Sequence, residues 1–101
     1  MVEFKFSQYG TNFGTREMGA KIREELLPLI HGGERVALDF TGVNVVTNSF
    51  ADECLAKLLL EMPLEDLKKR TTFRGLNPLA EASVLTALQR RYRVICSEKD
   101  S

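Results

Sequence analysis

Asp39-Phe40-Thr41-Gly42-Val43-Asn44-Val45-Val46-Thr47-Asn48-Ser49-Phe50, continued by Ala51-Asp52-Glu53-Cys54-Leu55 and then by leucines, is the stretch whose reading decides the fold. The apolar run over 35–40 gives way, after a bend at Gly42, to helical spacing from Ser49 onward. The stretch therefore reads as a buried strand, a polar loop and a helix. A strand feeding a helix in this manner predicts a parallel crossover. Ser49 is the expected N-cap, its hydroxyl accepting from the backbone N–H near Asp52 while the Asp52 carboxylate reaches back, a variant of the capping box. Hydroxyl and amide groups then gather at the positive end of a helix, where an anion or a phosphorylated side chain is stabilised.

Working outward, Val2, Glu3, Phe4, Lys5 and Phe6 alternate apolar and charged, which predicts a half-buried strand over 2–6. Glycines at 10 and 14 mark a turn-rich connection with room for a short second strand. Thr15 is positioned to cap a helix whose apolar face is Met18, Ile22, Leu26 and Leu29, kinked or tightened at Pro28 and ended by His31-Gly32-Gly33. The strand over 35–40 is nearly continuous in apolar character until Asp39, as expected of a central parallel strand covered on both faces. Its following helix, over 49–62, buries Phe50, Ala51, Cys54, Leu55, Leu58, Leu59 and Met62 and carries Glu53, Lys57 and Glu61 as a charged stripe. Leu60 falls on the outer side of that helix near Ala56, so the two form a possible interaction patch unless 63–70 folds over it.

Pro63 ends the helix and opens a short one over 64–69, followed by a strand over 71–75. Asn77-Pro78 starts a further helix with Ala80, Val84, Leu85, Leu88 and Tyr92 as its apolar face. The content of Tyr92, Val94 and Ile95 predicts a last short strand over 92–96, and 97–101 is expected to fray. Strands and helices alternate throughout. The expected architecture is a single α/β domain over 1–101, with a four- or five-stranded, mostly parallel sheet and three main helices.

The chain has 101 residues, with 14 basic and 14 acidic side chains, so no global field draws it to nucleic acid or an anionic membrane. No apolar run approaches the ~20 residues that span a bilayer, and the first residues lack a secretory layout. A soluble, cytoplasmic protein is expected. Cys54 and Cys96 show no metal or redox spacing and read as reduced thiols.

The run Asp39-Phe40-Thr41-Gly42-Val43, four residues, then Ser49 and a helix resembles the STAS fold of bacterial anti-sigma factor antagonists, and is most similar to the STAS-like family. Phe13-Gly14-Thr15-Arg16 and Ser49-Phe50-Ala51-Asp52-Glu53 extend the resemblance across roughly 10–91. In the antagonists an Asp-Ser pair opens the helix and a partner kinase phosphorylates the Ser. Here the aligned pair is Thr47-Asn48, with Ser49 one place later and Phe50 where those proteins carry Gly. The resemblance implies a histidine-kinase-type ATPase, acting as an anti-sigma factor or similar regulator, as the partner.

The candidate site is therefore Asp39, Thr41, Thr47, Asn48, Ser49, Phe50, Asp52 and Glu53, with Ser49 or Thr47 as phosphoacceptor. Two readings stand side by side: structural caps and strand-end bonds, or a phosphorylation switch adding about −1.5 to −2 charges. A ligand- or nucleotide-responsive module using the same helix end, and a homodimer built on Leu60, are the further alternatives. Enzyme chemistry finds little support, because His31 is the one histidine and abuts a Gly-Gly helix end. No cofactor or metal is expected. Lys68-Lys69-Arg70 with Arg74, and Arg90-Arg91 with Arg93, are basic clusters without an accompanying nucleic-acid reader motif, so nucleic acid is not the expected partner.

Overall fold

The alternation at the start of the chain becomes strand β1 (Val2–Lys5) in the computed structural model of the protein, which describes residues 1–99. A 3₁₀ turn (Phe6–Tyr9) leads to β2 (Asn12–Phe13), α1 (Arg16–His31), β3 (Val36–Asp39), β4 (Val45–Val46) and α2 (Asn48–Cys54). A second 3₁₀ turn (Ala56–Leu60) precedes α3 (Leu64–Arg70), β5 (Thr71–Arg74) and α4 (Pro78–Lys99). All strand pairs are parallel, and they divide into a three-stranded sheet of order β1-β3-β5 and a separate β2-β4 pair. The stretch after Glu34 is the central strand, as its composition predicts.

Phe4, Leu38 and Phe73 are aligned across the three strands. Side chains alternate along a strand, so Phe4, Val36 and Leu38 face the helices and belong to the core. The other face carries Glu3, Lys5, Ala37, Asp39, Thr72 and Arg74, and Glu3, Lys5 and Arg74 are exposed. β3 is nevertheless covered on both faces, as its composition predicts, with Val36, Ala37 and Leu38 all buried. Ala37 is buried without joining the core, and the Arg74–Glu3 ion pair (3.1 Å) reaches across β3 beside it. Charged neighbours do here what a second helix layer does in most parallel sheets.

An aromatic series ties the two sheets to α2. Phe6 stacks on Phe40 with centroids 4.0 Å apart, meets Phe13 edge-on, and Phe13 lies 5.0 Å from Phe50. These four rings are fully buried. Their packing sets the start of α2 against β2, because area burial and ring geometry both favour one arrangement.

α1 buries Gly19, Ile22, Leu26 and Ile30; Leu29, expected on that face, is only half-buried. The helix continues through Pro28 to His31. At Gly19 an added Cβ would lie 3.0 Å from the Glu53 Cβ and 3.1 Å from the Phe50 carbonyl oxygen, so the missing side chain is what lets α1 approach α2 closely.

Two further expectations are corrected. The helix expected over 49–62 closes at Cys54, with Leu55 as its C-cap, and continues as the tighter Ala56–Leu60 turn. That tightening keeps Leu55, Ala56, Leu58 and Leu59 buried together, a tertiary demand that overrides the helix propensity of leucine. The strand expected over 92–96 does not form, because α4 runs on to Lys99. Val84, Ala87, Leu88, Arg91 and Ile95 recur at helical spacing and face the body, whereas Leu85 and Tyr92, expected inside, are exposed. Of the segment expected to fray, 97–99 is helical, and Asp100 and Ser101 lie outside the described residues.

Candidate functional site

Thr47, not Ser49, caps α2. Its hydroxyl oxygen accepts from the Phe50 N–H (3.1 Å) and donates to the Gly14 carbonyl (3.2 Å), while its own N–H donates to Phe13 (3.0 Å). The cap falls two residues early because the loop is pinned by the β2-β4 pair, which brings Gly14 against Thr47. Replacing Thr47 by Ala should cost about 1 kcal/mol and at most about 2, whereas Ser49→Ala should stay within about 0.5 kcal/mol. Urea denaturation of the two variants checks this, and the reverse order would restore Ser49 as the cap.

Asn48 and Ser49 are exposed on the first turn of α2, while Phe50 is fully buried and Glu53 only 8% exposed. The expected site therefore splits by face. Asp52 does not reach back to the helix start. Its carboxylate takes a forked pair from Arg91 (3.1 Å from Nε, 2.7 Å from Nη2) and a third bond from Arg16 (2.8 Å). Glu53 is likewise no solvent stripe. It pairs with Arg23 (2.7 Å), Lys57 (3.0 Å) and, farther out, Arg16 (3.6 Å), and Arg23 also donates to the Glu53 carbonyl. Two adjacent acids on α2 thus join α1 and α4 through three arginines, with Lys57 of the following turn as a fourth cation.

Burial works to raise the Asp52 carboxyl, but the hydrogen bonds from Arg91 and Arg16 outweigh it and hold the group below its usual range. The hydrogen bond from Arg23, helped by Lys57, does the same for Glu53 against its burial. Unfolded carboxyls titrate near about 3.9 for Asp and about 4.3 for Glu. Both folded values lie lower, so this pairing stabilises the fold fully above about pH 5 and loses its contribution as pH falls through the unfolded and then the folded values. Urea midpoints followed from about pH 7 to about pH 3 should fall, and fall less steeply in Asp52→Asn. Equal slopes would exclude Asp52 as a source of the acid sensitivity.

Beside this network lies a cleft of about 310 Å³ lined by Arg16, Asn48, Ser49, Asp52, Arg90 and Arg91, with Ala87 and Val94. Ser49 thus shares this cleft with three arginines. In the sequence Arg16 falls in the family-like run Phe13-Gly14-Thr15-Arg16, and Arg90-Arg91 in a basic cluster with Arg93. The signal that would have placed Arg91 is its spacing from Val84, Ala87 and Leu88, which puts it on the inner face of a longer helix.

Asp39 and Thr41 are not brought to this site. Asp39 lies at the end of β3, paired in register with Lys5 and Arg74, and accepts from the Thr41 N–H (2.9 Å). The bonds from Thr41 hold its carboxyl below the usual range. Ala56 is fully buried and drops out of the outer patch, whereas Leu60 is 60% exposed and borders a groove of about 720 Å³ with Met62, Leu64, Tyr92 and Ile95. α3 and Pro63 wall that groove without covering Leu60.

The Cys54 thiol is buried and pushed by that burial up to about 12, so it stays protonated and unreactive at neutral pH. His31 is exposed in the last turn of α1. Among the described residues no group of three or more His, Cys, Asp or Glu side chains could hold a metal ion. Of the two basic clusters, Arg74 is paired with Glu3 and Arg91 with Asp52.

Element order, parallel pairing and the polar start of α2 define a small α/β domain of STAS-like architecture. Residues 18–80, more than half of the chain, match the family described as the STAS-like domain of unknown function (DUF4325), and the protein belongs to that family. The match runs from the first turn of α1 to that of α4, taking in β3, β4, α2, α3 and β5. No curated protein and no solved structure matches the chain. Among the described residues no helix is long and apolar enough to cross a membrane.

Proposed function

We propose that the protein is a non-catalytic, cytoplasmic interaction module of a regulatory circuit, with the exposed first turn of α2 as its contact surface and Ser49 as its phosphoacceptor. The observation that carries this reading is the contrast between two hydroxyls. That of Thr47 is engaged twice within the fold, while Ser49 is exposed beside Arg16, Arg90 and Arg91. A phosphate on Ser49 adds about −1.5 to −2 charges and three acceptor oxygens. The arginines of the cleft supply donors for them, in competition with Asp52. Arg16 and Arg91 would then divide between phosphate and carboxylate, so modification alters both the surface charge and the tie between α2 and α4. By resemblance the partner is a histidine-kinase-type ATPase of the anti-sigma kind.

Incubation with that kinase and ATP, read by mass spectrometry, should place phosphate on Ser49. Phosphate on neither Ser49 nor Thr47 would remove the switch. Pulldowns with Ser49→Asp and Ser49→Ala should return different partners, and identical partners would leave Ser49 an ordinary surface residue. The arginine-lined cleft favours a second reading, a module that binds a nucleotide or other small anion without modification. Titration of the unmodified protein with nucleoside triphosphates should then perturb Arg90 and Arg91. A homodimer through Leu60 predicts a sedimentation coefficient that rises with concentration and returns to the monomer value in Leu60→Glu.

A further inference from the structure

Strand β1 is an edge of the three-stranded sheet, with β3 as its single strand neighbour. The Val2 N–H donates to the Arg35 carbonyl (2.9 Å), which fixes the side of β1 that faces inward. Backbone groups alternate in direction along a strand, so those of Val2 and Phe4 face β3 and those of Glu3 and Lys5 point away from the sheet. Lys5 is still extended where it opens the 3₁₀ turn, and its carbonyl keeps a second lone pair beyond the one the turn uses. An open row of this kind is a template for a further strand.

Charges commonly guard such edges, and Glu3 and Lys5 are both exposed. Their signs are opposite, however, and the register of the sheet orders them. Lys5, Asp39 and Arg74 are aligned across β1, β3 and β5, so that row alternates in sign and reaches the edge on a cation. The row of Glu3, Ala37 and Thr72 reaches the same edge on an anion. A second copy related by a two-fold axis at Phe4 would lay its own β1 antiparallel, with its Glu3 opposite Lys5 and its Lys5 opposite Glu3. The outward backbone groups then face each other, and the charge row continues as Arg74, Asp39, Lys5 and the second copy's Glu3. An axis at Glu3 or at Lys5 sets like charges opposite, which destabilises a strand pair. An axis between residues sets outward groups against inward ones. One register therefore satisfies both the hydrogen bonds and the charges. We propose that β1 is a self-association edge, through which two copies join their three-stranded sheets into one of six strands. None of its residues lines the Ser49 cleft, so the proposal stands whether or not Ser49 is modified.

So short a ladder buries less than the roughly 1,200 Å² of a stable complex, and a weak dimer is expected. Sedimentation of the full chain from about 20 μM to about 2 mM, with amide exchange followed by NMR, tests the assignment. Mean mass should rise toward the dimer. The Glu3 and Lys5 amides should exchange at least about twofold more slowly at the top of that range than at the bottom, while those of Val2 and Phe4, turned toward β3, should not change. Glu3→Lys and Lys5→Glu each set like charges opposite at both pairs and should weaken association by about tenfold. An equimolar mixture of the two variants restores unlike pairs at both positions and should recover it, as should the double swap in one chain, which leaves net charge unchanged. Glu3→Lys gives up the exposed Arg74 pair, so melting of each variant at low concentration separates lost association from lost fold. Constant mass over the whole range overturns the proposal. So does association that Leu60→Glu abolishes and Glu3→Lys leaves intact, which would place the contact at the Leu60 groove instead. Failure of both the mixture and the double swap to recover association overturns the register.

Discussion

Gly75→Ala is expected to destabilise the protein by about 3 kcal/mol, combining left-handed backbone strain of about 1–2 kcal/mol with overpacking of about 1–3 kcal/mol. Gly75 follows β5 with φ +72°, a conformation that an L side chain resists. A Cβ there would lie 2.4 Å from the Thr41 hydroxyl oxygen and 2.6 Å from the Thr41 backbone nitrogen. Backbone cannot move aside as a flexible side chain can. The same junction holds the Phe40 N–H on the Arg74 carbonyl (2.8 Å), so displacement would loosen the end of the β3-β5 ladder. Thermal melting should show a drop of roughly 12–24 °C at the usual scaling for a domain of this size. Gly75→Asn should recover only the backbone part, since Asn tolerates positive φ but keeps its Cβ. A midpoint for Gly75→Ala near wild type would mean that Thr41 does not pass this close.

Phe50→Ala should cost about 3–5 kcal/mol, the range for deleting a fully buried aromatic ring. Phe50 has no exposed surface, packs 5.0 Å from Phe13 and anchors the turn that displays Ser49. Phe50→Leu, closer in volume, should lose less than about 1.5 kcal/mol. Chemical denaturation of both variants beside Ser49→Ala separates the two neighbours cleanly. Ser49 belongs to the surface and Phe50 to the core, so loss of partner binding in Phe50→Ala should track loss of fold. A Phe50→Ala protein of wild-type stability that fails to bind would make the ring a contact residue instead.

The elements that were legible carry strong local signals. Alternation at Val2 to Lys5, the apolar run into β3, Thr15 as the cap of α1 and Asn77-Pro78 at the start of α4 all formed as their residue types dictate. The signals failed where two elements compete for one partner. Ser49 has the chemistry of a cap, but Thr47 meets Gly14 across the β2-β4 pair and takes the role. Tyr92, Val94 and Ile95 favour a strand by type, but Arg91 held on Asp52 and Ile95 against the core keep the chain helical. Glu53 pairs with Lys57 as the i,i+4 spacing implies, but its burial comes from Arg23 of α1 closing on it.

By itself the sequence determined the α/β class, the parallel crossover and the stretch around Ser49 as a polar turn, because hydrophobic period and capping chemistry act over a few residues. Tertiary structure alone decided that Asp52 and Glu53 bind three arginines from α1 and α4, that one sheet face is left to charged side chains, and that Ala56 points inward. Those outcomes depend on residues tens of positions apart meeting at hydrogen-bond distance, and that meeting exists only once the helices have packed on the sheet.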